Sequence, residues 1–248
     1  MINGAVAWHT FHQHHWIRIS LLGLVLLWVF LSAEGVDRIP LIGVTPFLVW
    51  LLGSGIIGRD MSSGVAHLLF TRPITRRDYI FTKWASLVAA VAGFQCLILL
   101  VWIFGKYIYP ATPHIAFPIA PHSIGELLKE LVFSIWITAV VSTVLILFST
   151  IMTGWGDLAL LLYVHVLVLV LSISPLKDNV SGFEVVIDWM LRIIWPGAKI
   201  GYQYVEGFNH SIFIPSVGDF VVDTLIAGLY LFFAVKLISR KDMGYTNL

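Results

Sequence analysis

Residues 131–156 read LVFSIWITAVVSTVLILFSTIMTGWG, 26 consecutive positions without Asp, Glu, Lys or Arg. As an α-helix rising about 1.5 Å per residue, such a run exceeds the roughly 30 Å of hydrocarbon in a bilayer. Outward from it lie residues 82–105 and 158–176, then 39–58, apolar stretches of 19 to 24 residues. Two weaker stretches complete the pattern. Residues 17–33 are short, but Trp16 and Arg18 can anchor them at the interface. Residues 217–238 carry Asp219 and Asp223 at one end and Lys236, followed by Arg240 and Lys241, at the other, around an apolar middle. The expected fold is therefore an all-α integral membrane protein of six transmembrane helices. No internal repeat or polar linker divides residues 1–248, which read as a single transmembrane domain.

Composition agrees. Of 248 residues 58% are hydrophobic and 12% charged, with 15 Lys+Arg against 14 Asp+Glu. A soluble domain carries roughly a quarter charged residues, so this chain is too poor in charge for a water-facing surface. That excludes a soluble enzyme, and with a net charge of +1 it excludes an ordinary nucleic-acid binder. Cys96 is the single cysteine, so the chain has neither an internal disulfide nor a thiolate zinc set. The Gly105-Lys106 pair is followed by Tyr107 and lacks the upstream glycine of a phosphate-binding loop. Nucleotide-driven work would need another chain.

Between the second and third stretches lie Arg59, Arg72, Arg76, Arg77 and Lys83, the densest basic cluster in the chain. Positive loops stay inside, so this loop is expected in the cytoplasm. Six spans then put both termini inside, in agreement with Lys236, Arg240 and Lys241, and leave segments 106–130 and 177–216 outside. Leu31-Ser32-Ala33 is a poor cleavage site, so the first stretch reads as a retained span.

The loop itself, residues 58–83, reads GRDMSSGVAHLLFTRPITRRDYIFTK. Val65, Leu68 and Leu69 recur at i, i+3 and i+4, which predicts a short helix with one apolar face, started near Ser62 or Ser63 and stopped by Pro73. Thr75-x-x-Asp78 is a capping box that opens the third span's helix well before Trp84. A small helix thus lies between two membrane helices, too short to span.

In this loop the chain resembles the membrane-spanning permease subunits of ABC transporters of the type-two, exporter-like class. Those subunits carry an acidic residue, a Gly, a Pro-Ile-Ser/Thr-Arg element, a Tyr and a Lys after the second span. Here Asp60, Gly64, Pro73-Ile74-Thr75-Arg76, Tyr79 and Lys83 follow in that order, with Asp60 where the family more often has Glu. The resemblance implies a bacterial cytoplasmic-membrane exporter whose short helix docks on cytosolic ATPase subunits. ATP and Mg would then be bound by that partner, and this chain would hold no cofactor and do no covalent chemistry. The implied coupling surface comprises Asp60, Gly64, Val65, Leu68, Leu69, Arg72, Pro73, Arg76, Tyr79 and Lys83. The plainer alternative is that the arginines only fix orientation and hold lipid phosphates.

Ser181-x-x-Glu184 opens another helix, in which Ile187, Met190, Leu191 and Ile194 share a face while Glu184, Asp188 and Arg192 recur on a second, until Pro196. It resembles the external re-entrant or surface helices that this family places before the last span to close the outer end of the pathway, with Glu184, Asp188 and Arg192 as gate candidates. The alternative is an interfacial helix anchored by Trp189 and Trp195. His9, His12, His14 and His15, interleaved with Trp8, Phe11 and Trp16, read as an amphipathic helix at the interface, resembling the family's elbow helix, in preference to a metal site. For Asp219 and Asp223 a capping role with Ser216 is preferred over an ion site. His165 and Tyr163, mid-span, are open to either a relay or plain interhelical hydrogen bonding. Asp157 reads as a tight turn between two spans.

Six spans are too few to enclose and seal a pathway, so a pair of permeases, identical or related, is expected. Gly53, Ser54, Gly55 and Gly58 of the second span and Gly23 of the first are small enough for close helix approach and are the interface candidates. The fifth span's Leu/Val-rich surface suits lipid better. Two other classes fit less well: an ion-coupled secondary transporter, for which inverted repeats are lacking, and an intramembrane enzyme built on His165, for which no His-Glu-x-x-His or Gly-x-Ser-x-Gly element exists.

Overall fold

The computed structural model describes residues 15–32, 41–71, 74–105, 124–152, 183–194, 196–197 and 216–240, together with Gly4, Val6, Gly156, Tyr163 and Val166. Among them every regular element is a helix: α1 (His15–Ser32), α2 (Leu41–Gly53), α3 (Gly58–Ser62), α4 (Val65–Phe70), α5 (Arg76–Ile103), α6 (Ile124–Ile151), α7 (Phe183–Ile194) and α8 (Val217–Arg240). Three are long and apolar enough to cross a membrane: α5, the Leu127–Ile151 part of α6, and α8. A shorter apolar stretch, Ile19–Leu31, makes up most of α1. Of the expected fifth span, 158–176, only Tyr163 and Val166 are described, both exposed; His165, Asp157 and the histidines at 9, 12 and 14 lie outside the described residues.

α6 is the centre. It packs against α5, α2 and α8, and 56% of its apolar stretch is inside the protein, against 33% for α5 and 28% for α8. Its hydroxyls are therefore buried, and three of them turn back onto their own helix: Ser142 donates to the Ala139 carbonyl at 3.0 Å, Thr143 to Val140 at 2.7 Å, and Thr150 to Leu147 at 2.6 Å. Self-satisfied in this way, they sit in an apolar interior without an orphan donor. One polar junction ties three helices. Thr45 of α2 and Thr138 of α6 use their hydroxyl protons on Leu41 and Ser134 carbonyls, which leaves both oxygens free to accept the amide protons of Gln95 on α5, at 2.8 and 2.9 Å. Aromatic contacts close the other side: Trp136 of α6 stacks on Phe220 of α8 at 3.8 Å between centroids.

α8 meets the core along Asp223, Ala227, Leu231, Ala234 and Ile238, a buried stripe spaced by four and three residues. On its other side Leu225, Leu229, Phe232 and Phe233 are exposed and face the surroundings with the apolar side chains that lipid requires.

The second span departs from the expected 39–58. Its helix ends at Gly53, residues 54–57 turn, and a separate helix begins at Gly58. Gly55 has φ +71°, a conformation only glycine adopts without strain, and that interrupts the helix inside an otherwise continuous apolar run.

Candidate functional site

The turn after α2 delivers α3 to the end of α6. The backbone N–H groups of Ile57, the N-cap, and Gly58, first in the new helix, both donate to the Ser149 hydroxyl of α6 at 3.0 Å. Thus anchored, α3 points Asp60 inward, where it is fully buried. Tyr79 and Lys83, four residues apart on one face of α5, come to meet it. The Tyr79 hydroxyl donates to Asp60 Oδ2 at 2.7 Å, and Lys83 Nζ lies 2.8 Å from the same oxygen. Neither side chain of the Asp60–Lys83 pair has any exposed surface. Taking two charges out of water costs several kcal/mol per ion, and only a mutual pairing with extra hydrogen bonds repays it. The phenol supplies that bond, and its ring lies 5.7 Å from the ammonium.

Asp60, Tyr79 and Lys83, all drawn from the resemblance, are thus one cluster joining the two ends of the loop. Between them Gly64 adopts φ +74° and separates α3 from α4; no atom lies within 4 Å of where a Cβ would stand, so the backbone, and not crowding, requires glycine there. α4 begins at Val65, two to three residues later than the serines suggested; those serines close α3, with Ser63 donating from its N–H and its hydroxyl to the Arg59 carbonyl. Leu69 and Phe70 rest against the protein's own core, and Val65 is half-buried. The side chain of Leu68, and Arg72 and Pro73, lie outside the described residues.

The Thr75-x-x-Asp78 box is present as read. Thr75 Oγ1 accepts the Asp78 N–H at 3.0 Å and donates to Asp78 Oδ2 at 2.7 Å, and α5 starts at Arg76. Arg76 does something the sequence did not suggest. Its guanidinium donates to the carbonyls of Ile238, at 3.2 Å, and Ser239, in the last turn of α8. Arg77 beside it is exposed and lies over the Phe81 ring at 5.6 Å.

A second cluster occupies the opposite end of α8. Sequence spacing grouped Arg192 with Glu184 and Asp188, whose side chains lie outside the described residues; the fold instead turns Arg192 of α7 inward onto α8. It pairs with Asp219 and lies 3.4 Å from Asp223, whose other oxygen accepts the Gly197 N–H at 3.1 Å. The Ser216 cap on Asp219 is also there, with Oγ accepting the Asp219 N–H at 3.1 Å. Asp223, one turn further and fully buried, is past the reach of a cap, and the signal for its partner was that a buried carboxylate requires a cation. With Arg192 inside, α7 exposes Val185, Val186, Trp189, Met190 and Ile193.

The dimer candidates on the second span lie inside the fold of the single chain. Gly53, Ser54, Gly55 and Gly58 are buried by the chain itself. A Cβ at Gly53 would run into the Cδ2 methyls of Leu145 and Leu87, so its smallness admits α6 and α5 of the same chain, not a second copy. Gly23 alone of the set faces open space. No family model, no curated protein and no solved structure matches this chain.

Proposed function

We propose that the chain is the membrane-spanning subunit of an ATP-driven ABC exporter in a bacterial cytoplasmic membrane, working as a pair of permeases above separate cytosolic ATPase subunits. The observation that carries this reading is the Asp60–Tyr79–Lys83 cluster. An unpaired loop would bend when pushed. Here a buried ion pair clamps α3 to α5 across the loop, with Ser149 clamping α3 to α6, so a push on α4 is delivered to the bundle as a whole. The same residues support the resemblance in sequence. Chemistry at the cluster itself is disfavoured by its burial, since neither Asp60 nor Lys83 meets solvent. In this reading ATP and Mg belong to the partner, and α4 with the exposed Arg77 forms the docking surface.

The test is to purify the tagged chain from its native membrane in mild detergent and to measure Mg-dependent ATP hydrolysis retained with it. Arg77→Glu, on an exposed side chain, should cut that retained activity about tenfold, as reversal of a charge at an interface does. Folded chain purified without any ATPase activity would overturn the reading.

A further inference from the structure

α8 is gripped at both ends by arginines from other helices. At one end Arg76, in the first turn of α5, donates to the Ile238 and Ser239 carbonyls. At the other, Arg192 of α7 holds Asp219 and Asp223. The whole of α8 is 24 helical residues, about 36 Å of rod, with one grip near each end. The rod's inner stripe includes Ala227 and Ala234, small side chains that allow one packed helix to slide along another. Both grips are directional. The last carbonyls of a helix point along its axis, so a pull by Arg76 acts along the rod, and the Asp219 and Asp223 side chains reach out from its other end to Arg192.

The geometry points to α8 as a strut that links the 58–83 loop to α7: displacement of Arg76 moves α8 lengthwise, and α8 carries α7 with it through Asp219 and Asp223. Arg76 and Arg192 are positioning residues in this device. Independent anchors more than 10 Å apart leave each other unaffected, whereas a strut makes them one unit. This inference does not depend on the ATPase reading, because it concerns the chain alone.

Amide hydrogen exchange of the full chain in phospholipid nanodiscs tests it. Arg76→Gln should speed exchange in α7 about fivefold or more while α1 stays unchanged. Coupling is reciprocal, so Arg192→Gln should speed exchange in the first turn of α5 by a similar factor. Arg76→Lys, which keeps the charge but replaces the planar guanidinium by a compact ammonium, serves if the glutamine variant does not fold, and the same pattern is then expected at smaller size. Faster exchange confined to the mutated end overturns the strut, and so does a uniform rise that includes α1.

Discussion

Lys83 and Asp60 form a pair in which neither partner is tolerable alone. Lys83→Met leaves a buried carboxylate without its lysine, and should destabilise the protein by about 3–5 kcal/mol. Replacing both, Asp60→Asn with Lys83→Met, removes both charges and should recover most of that loss. Thermal unfolding in detergent compares the three proteins; equal losses for the single and the double variant would show that the ion pair contributes nothing. The members of this cluster were legible in the sequence as a set, because the motif names them. Their contact was not, since Asp60 and Lys83 stand 23 positions apart and no periodicity relates a loop residue to a helix that begins after it. Arg192 shows the opposite error: spacing along its own helix suggested Glu184 and Asp188 as companions, while burial selected the carboxylates of α8.

Helix starts were easier to read than helix ends. The α5 start is local, two side-chain and backbone bonds between Thr75 and Asp78, so four residues of sequence suffice to define it. Thr75→Ala should therefore remove about 1 kcal/mol and speed amide exchange at Asp78 and Tyr79; unaltered exchange there would mean the cap is idle. The end of α2 was missed because apolar residues continue through it to Ile57. What stops the helix is the positive φ of Gly55 and the acceptor that Ser149, 92 positions from Ile57, offers to the chain after the turn. In α8 a glycine has the reverse meaning. Gly228 is helical and exposed with open space where a Cβ would go, so Gly228→Ala should stabilise the helix by about 0.5–1 kcal/mol. A fall in melting temperature on that substitution would reveal a second chain packed against this face.

Assembly is a property of the whole surface, and the fold narrows it. α6 packs against α2, α5 and α8, and Gly53 at the end of α2 is taken up in admitting α5 and α6. α1 is different. It touches chiefly α5, and Leu24, Leu27, Trp28 and Leu31 are exposed around an unobstructed Gly23. Lipid satisfies apolar side chains as well as protein does, so exposure alone does not single out an interface; a small residue that lets a second helix come close does. α8 exposes Phe232 and Phe233, bulky rings that keep a neighbouring backbone at a distance. A pair of these chains should therefore meet along α1. In membranes, with Cys96→Ser as background, Gly23→Cys is expected to form a disulfide-linked dimer under mild oxidation and Phe232→Cys is not. Crosslinking at 232 with none at 23 would move the interface to α8, and would place the strut's exposed face between the two copies.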